Sequence, residues 1–131
     1  MNEAFQFRLD LRSGVPAYRQ IMDQVLVAMA SGTLASGDQL PTVRQLAVDL
    51  SINPNTVVRA YRELEIRGIL ETHQGTGTFI GAKKVERDEA ERRRQMAQLV
   101  GELVARAGAA GYSTQELRDC LDEMLADPER R

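Results

Sequence analysis

The sequence predicts a mainly α fold in two parts: three helices followed by a two-stranded hairpin, then a pair of amphipathic helices. Three observations carry this. Apolar residues recur at helical spacing in five separate windows, polar start signals stand before several of them, and only residues 69–80 switch to short β-branched or apolar runs around glycines. A chain of 131 residues holds one compact domain of the usual ~100–200 residues with a modest appendage. A large second effector domain is therefore not expected.

In chain order, Phe5, Phe7, Leu9 and Leu11 alternate, which fits either an extended arm packing Phe5 or Phe7 onto the core or a frayed terminus. Pro16 then signals a helix start, and Tyr18, Ile21, Met22, Val25, Leu26 and Met29 form its apolar stripe. It should end near Gly32, with Gly37-Asp38 turning the chain into the next helix.

That second helix begins at Thr42, whose hydroxyl can accept from the backbone three residues on while Gln45 reaches back as the other half of a capping box. Val43, Leu46, Ala47 and Leu50 make its buried face. The third helix starts at Asn53, a strong N-cap, with Pro54 at the first helical position where a missing N–H costs nothing. Val57, Ala60, Tyr61 and Leu64 point inward, Asn55, Thr56, Arg59 and Arg62 point outward, and Gly68 ends the helix. Two short helices joined by a tight polar turn, the second presenting amides and guanidiniums, have the geometry of a helix-turn-helix reader of double-stranded DNA.

Beyond Gly68 the runs 69–73 and 78–80 flank Gln74-Gly75-Thr76-Gly77, which predicts a hairpin placed as the wing of such a reader. Its two glycines are no dinucleotide fingerprint, because the third glycine and the following helix start are missing.

The runs Leu40-Pro41-Thr42-Val43-Arg44-Gln45-Leu46-Ala47, Asn53-Pro54-Asn55-Thr56-Val57-Val58-Arg59-Ala60-Tyr61-Arg62-Glu63-Leu64-Glu65, Gly68-Ile69-Leu70 and Gly75-Thr76-Gly77-Thr78-Phe79-Ile80 together resemble the winged-helix domain of the GntR family of bacterial transcription regulators. The likeness is greatest to its small YtrA-like branch. It covers roughly residues 10 to 80 closely, and the tail only in length and helical character. The resemblance implies a winged helix-turn-helix domain over 1–82, a helical dimerisation region over 83–131, and DNA contacts from Arg44, Asn53, Asn55, Thr56 and the wing-tip Gln74, Gly75 and Thr76. Many family members carry their recognition-helix arginine one position earlier, where this chain has Val58.

Residues 83–94 form a mixed-charge connector, Lys83, Lys84, Arg87, Arg92, Arg93 and Arg94 against Glu86, Asp88, Glu89 and Glu91. It fits a solvated helix start or an added phosphate contact. Met96, Leu99, Val100, Leu103, Val104 and Ala107 then mark an amphipathic helix over about 88–107, broken by Gly108-Ala109-Ala110-Gly111. Ser113 and Glu116 make a second capping box for a last helix over about 114–126, with Leu117, Cys120, Leu121, Met124 and Leu125 on one side. Two helices with one apolar face each cover one another only partly. The remainder should meet its copy in a homodimer, through Met96, Leu99, Val100, Leu103, Leu117, Leu121 and Met124, although folding back on the first domain is the alternative.

Charge sits awkwardly with a DNA partner. The chain carries a formal net charge of -2, and residues 1–80 hold seven arginines and no lysine against eight acidic residues. The electrostatic footprint must therefore be local: Arg44, Arg59 and Arg62 gathered by the fold, helped by helix N-termini. Arg59 is long enough to fork onto guanine O6 and N7.

No Ser, His and Asp set, carboxylate pair or phosphate loop can be assembled around the lone His73, so an enzyme is not expected. A single cysteine, Cys120, excludes an intramolecular disulfide, and no metal or cofactor is predicted. With no leader and no apolar run of the ~20 residues that span a bilayer, a cytoplasmic protein without a membrane partner is expected. These expectations combine into a repressor binding an inverted repeat as a homodimer, with any small-molecule effector, of unknown identity, changing the relation between two winged domains. A different class of function, a winged helix that docks an acidic protein partner without binding DNA, draws on the acidic overall charge.

Overall fold

In the computed structural model, residues 5–82 and 88–126 are described. The chain divides into two compact units, Met1–Lys84 and Val85–Arg131. The first contains α1 (Ala17–Ala30), β1 (Gln39–Leu40), α2 (Val43–Leu50), α3 (Pro54–Ile66), β2 (Leu70–His73) and β3 (Gly77–Ile80); the second contains α4 (Glu89–Ala109) and α5 (Thr114–Leu125).

Local start signals act where the sequence puts them. Thr42 Oγ1 accepts from the Gln45 N–H at 3.1 Å and Asn53 Oδ1 from the Asn55 N–H at 2.8 Å, each satisfying a donor that the helix itself leaves open. The predicted box at Thr42 is only half formed. Gln45 Nε2 runs along α2 to Asp49 Oδ1 at 2.7 Å instead of returning to the cap, because a neighbour four residues on offers a carboxylate acceptor on the same face.

The ends of α2 and α3 follow one rule. After α3, Gly68 adopts φ 77°, its N–H donates to Glu65 O at 2.9 Å and the Ile69 N–H to Leu64 O at 2.9 Å, the two bonds of a Schellman motif. The same pair closes α2, from Ser51 to Val48 O (3.2 Å) and from Ile52 to Ala47 O (3.0 Å). Here, however, the left-handed residue is Ser51, at φ 54° and ψ 47°.

The core gathers Ile21, Met22, Val25 and Ala28 of α1, Leu46 and Ala47 of α2, Val57, Ala60, Tyr61 and Leu64 of α3, and Leu34, Leu40, Leu70 and Ile80 from the loop and sheet. The predicted α3 stripe is buried throughout, while Tyr18, Leu26 and Met29 of the α1 stripe and Val43 and Leu50 of the α2 stripe pack partly buried against the same core. The arm is ordered against this core: Phe5, Phe7 and Leu9 pack on it, while Leu11 is 89% exposed. What holds the arm is an amide pair on α1. Gln24 accepts from the Arg8 N–H (2.8 Å) and donates to Arg8 O (2.6 Å), and Gln20 does the same to Asp10 (2.8 and 2.9 Å). Each glutamine replaces one rung of a strand ladder, and the four-residue spacing on a helix matches the two-residue spacing along the arm.

The hairpin forms as expected, with Leu70 opposite Ile80, Glu71 opposite Phe79, Thr72 opposite Thr78 and His73 opposite Gly77. A third strand joins it. Gln39 and Leu40 pair antiparallel with Phe79 and Thr78, giving the order β1-β3-β2, so the residues leading into α2 belong to the sheet that carries the wing.

In the second unit, α4 runs through Gly108 to Ala109, further than the predicted break. The true stop is Gly111 at φ 92°, where the Gly111 N–H meets Gly108 O and the Tyr112 N–H meets Ala107 O. A single glycine inside a helix costs ~1 kcal/mol against alanine, and alanines on either side of Gly108 carry the helix past it. Ser113 and Glu116 form the predicted capping box of α5. Neither helix contains a buried residue: Met96, Leu99, Val100, Leu103, Leu121, Met124 and Leu125 are all exposed, and Leu117 is half-buried. Lys83, Lys84, Glu86 and Arg87 of the connector lie outside the described residues.

A serine in the left-handed region is disfavoured by ~1–2 kcal/mol, whereas glycine there costs only ~0.5–1 kcal/mol of extra chain entropy. Ser51→Gly should raise the unfolding free energy by about 0.5 kcal/mol, measured by urea denaturation; an equal or lower midpoint would contradict this account of the turn.

Candidate nucleic-acid interface

The buried stripe of α3 fixes what its other side shows. With Val57, Ala60, Tyr61 and Leu64 inside, Asn55, Arg59 and Arg62 are exposed and Thr56 is half-buried. Asn53 has already committed its side-chain oxygen to the cap, so its amide N–H groups are what it can offer outward. Arg44, the second residue of α2, is also exposed and lies in the first turn of that helix, where backbone donors are left open.

The wing tip is a tight turn. The Thr76 N–H donates to His73 O at 2.9 Å and Gly75 sits at φ 81°, leaving Gln74, Gly75 and Thr76 exposed. Gln39 Nε2 donates to Thr76 O at 3.2 Å, tying the tip to β1. Gly77, at φ 138°, allows this approach, since a Cβ there would lie 2.5 Å from Gln39 Nε2. His73 packs near Phe79, ring centroids 5.4 Å apart, with Nε2 3.5 Å from Glu71 Oε2. It is a hairpin side chain with an acidic neighbour. Among the described residues no cluster of His, Cys, Asp or Glu is arranged to hold a metal ion, and no helix is long and apolar enough to cross a membrane.

Two contacts escape a linear reading of the sequence. The Tyr61 hydroxyl donates to Pro41 O at 2.7 Å, joining α3 to the residue between β1 and the cap of α2. Burial pushes the Tyr61 phenol well above its ordinary value of 10.0, because the phenolate would lose its hydration. The other is Arg59, whose guanidinium lies over the Tyr18 ring at 3.6 Å from the centroid. The available signal was an aromatic in the first turn of α1, but only tertiary packing brings it beside α3.

The model of the gntR family of bacterial regulatory proteins matches residues 17–80, the span from the start of α1 to the end of the wing. The chain is 36% identical over 120 residues to the HTH-type transcriptional repressor YtrA of Bacillus subtilis, covering 92% of each. This chain belongs to the GntR family. It is a DNA-binding transcription regulator and not an enzyme. Among solved structures it is similar to a Listeria monocytogenes EGD-e protein described as a transcriptional antiterminator, at a TM-score of 0.69 and 27% identity over 95% of this chain and 92% of that one. It is also similar to a GntR family transcriptional regulator from Listeria monocytogenes, at 0.60 and 30% over 86% and 98%. Both likenesses extend beyond the winged unit into the C-terminal helices, as the coverage requires.

Removing the Tyr61 hydroxyl leaves the Pro41 carbonyl without its donor, so Tyr61→Phe should cost about 1 kcal/mol in urea unfolding at neutral pH. The sign of the pH dependence follows from a raised folded-state value: the contribution is fully present below pH 10.0 and is lost as alkali ionises the unfolded phenol first. The parent should therefore lose stability above that pH more steeply than Tyr61→Phe, and parallel alkaline limbs would refute the assignment.

Proposed function

We propose that this regulator is a repressor that binds an inverted-repeat operator as a homodimer in the cytoplasm. The observation that carries the dimer is the C-terminal unit, where neither helix has a buried residue and Leu99, Val100 and Leu103 stand 62%, 49% and 43% exposed on one stripe. An apolar stripe of that length needs a cover, and a second copy supplies a self-complementary one. Met96, Leu117, Leu121 and Met124 extend the same interface.

Two subunits bring two copies of α3, so each would enter a major groove, with half-sites about one helical turn or a multiple apart. Asn55, Thr56, Arg59 and Arg62 would face the groove, Arg44 and Asn53 would flank it, and Gln74, Gly75 and Thr76 would meet the backbone or minor groove from the wing. The repressor reading is supported by the likeness to YtrA of Bacillus subtilis, which is named a repressor and is matched over nearly its whole length.

Gel shift against the upstream region of the chain's own gene tests the DNA side. Arg44→Ala should weaken specific binding by ~1–3 kcal/mol without changing the melting temperature; parent-like affinity would remove Arg44 from the interface. Analytical ultracentrifugation tests the other half. Leu103→Glu should sediment as a monomer at concentrations where the parent is a dimer, and an intact dimer would move the interface elsewhere.

A further inference from the structure

Arg59 does not stand free on the outward surface of α3. Its guanidinium rests on the Tyr18 ring, 3.6 Å from the centroid, and its Nε lies 3.8 Å from Glu63 Oε1, while 60% of the side chain remains exposed. Tyr18 occupies the first turn of α1 and packs partly buried against the core, so the ring is a fixed platform. Asn55, Arg59 and Arg62 share the outward face of α3 within an arc of about 60°, and the Tyr18 contact draws the Arg59 guanidinium to the side of that face next to α1.

A guanidinium flat on an aromatic face keeps its charge and presents its N–H donors around its rim, which suits a phosphate oxygen at the side of the groove. Forking onto a guanine asks the same group to extend along the groove floor. That requires leaving both the ring and Glu63. Glu63 meets the Nε edge, so the Nη donors are the ones a phosphate would take.

We propose that Tyr18 is a positioning residue that holds Arg59 as an anchor for the DNA sugar-phosphate backbone, with base reading left to Asn55 and Arg62. The inference rests on the DNA-binding interface described above and assigns Arg59 a sequence-independent part in it. A backbone anchor lowers affinity for every duplex alike when removed and takes one charge out of the salt dependence, whereas a base reader changes the ratio between right and wrong sequences.

The experiment compares the parent with Arg59→Ala, Tyr18→Leu and Tyr18→Phe. Each is titrated across a salt series on two duplexes: the tightest binder selected from random sequence, and an unrelated one of equal length. Arg59→Ala should weaken both by the same factor, on the order of tenfold, and reduce the slope of log affinity against log salt by about one. Tyr18→Leu should weaken both about two- to fivefold, the size of an exposed cation–π contact, with no effect in an Arg59→Ala background. Tyr18→Phe, which keeps the ring face, should restore parent binding. If Tyr18→Leu lowers the melting temperature, Tyr18→Met takes its place. Loss of affinity for the selected duplex alone in Arg59→Ala, or a Tyr18 effect that persists without Arg59, overturns the proposal. A folded parent that binds neither duplex would instead overturn the interface itself.

Discussion

The hydrogen bond from the Tyr61 hydroxyl to Pro41 O is the constraint on which the geometry of the winged unit turns. Three successive stretches of chain are fixed within four residues: Gln39 and Leu40 pair with β3, Pro41 receives the phenol of α3, and Thr42 caps α2. Proline suits the middle position because it brings no N–H that the sheet would have to satisfy, and its locked φ ends the strand and turns the chain toward the helix. The result is a junction in which α2, α3 and the wing cannot be moved independently. Placing a helix and a hairpin tip against one duplex demands that kind of coupling, since phosphate contacts fix the register in which base contacts are made.

Most of the elements were legible because their signals are local. Thr42, Asn53-Pro54 and Ser113 with Glu116 announce helix starts through bonds made within three residues, and the stripes of α1 and α3 need only a period. What escaped was tertiary. A two-residue strand such as Gln39-Leu40 has no periodicity to read and exists only because β3 offers an edge. Gln20 and Gln24 carried a signal in their spacing, two amides one turn apart beside an alternating arm, but an amide on a helix is ordinarily solvated. Gly108 misled in the opposite direction: its cost is real, yet alanine neighbours and the cap at Gly111 outweigh it. The outward set on α3 was legible as a face, while the subdivision of that face by Tyr18 was not.

The acidic balance of the chain loses its force once partners are assigned. Around the winged unit Asp49 accepts from Gln45, Glu65 accepts from the Thr72 hydroxyl at 2.8 Å and so ties α3 to β2, Glu63 lies beside Arg59 and Glu71 beside His73. Such exposed contacts add little stability individually. Their effect is directional: carboxylates are drawn toward neighbouring donors, while Arg44, Arg62 and Asn55 stay exposed. A local positive surface on a chain of net charge -2 would give weak attraction to arbitrary duplexes and leave more of the affinity to contacts that depend on sequence.

The C-terminal helices carry a different constraint. α4 and α5 are well capped, at Asp88 and at Ser113, yet capping contributes about 1 kcal/mol per end and cannot replace burial. A helix pair without a buried residue is below the size at which a chain builds its own core. Under the homodimer reading, the second copy that covers Leu99, Val100 and Leu103 is part of the folded state of this unit, and stability rises with the concentration of that copy. Assembly and folding of the tail then become one equilibrium, and the pairing of two DNA-reading helices is set by the same apolar stripe that makes the tail fold.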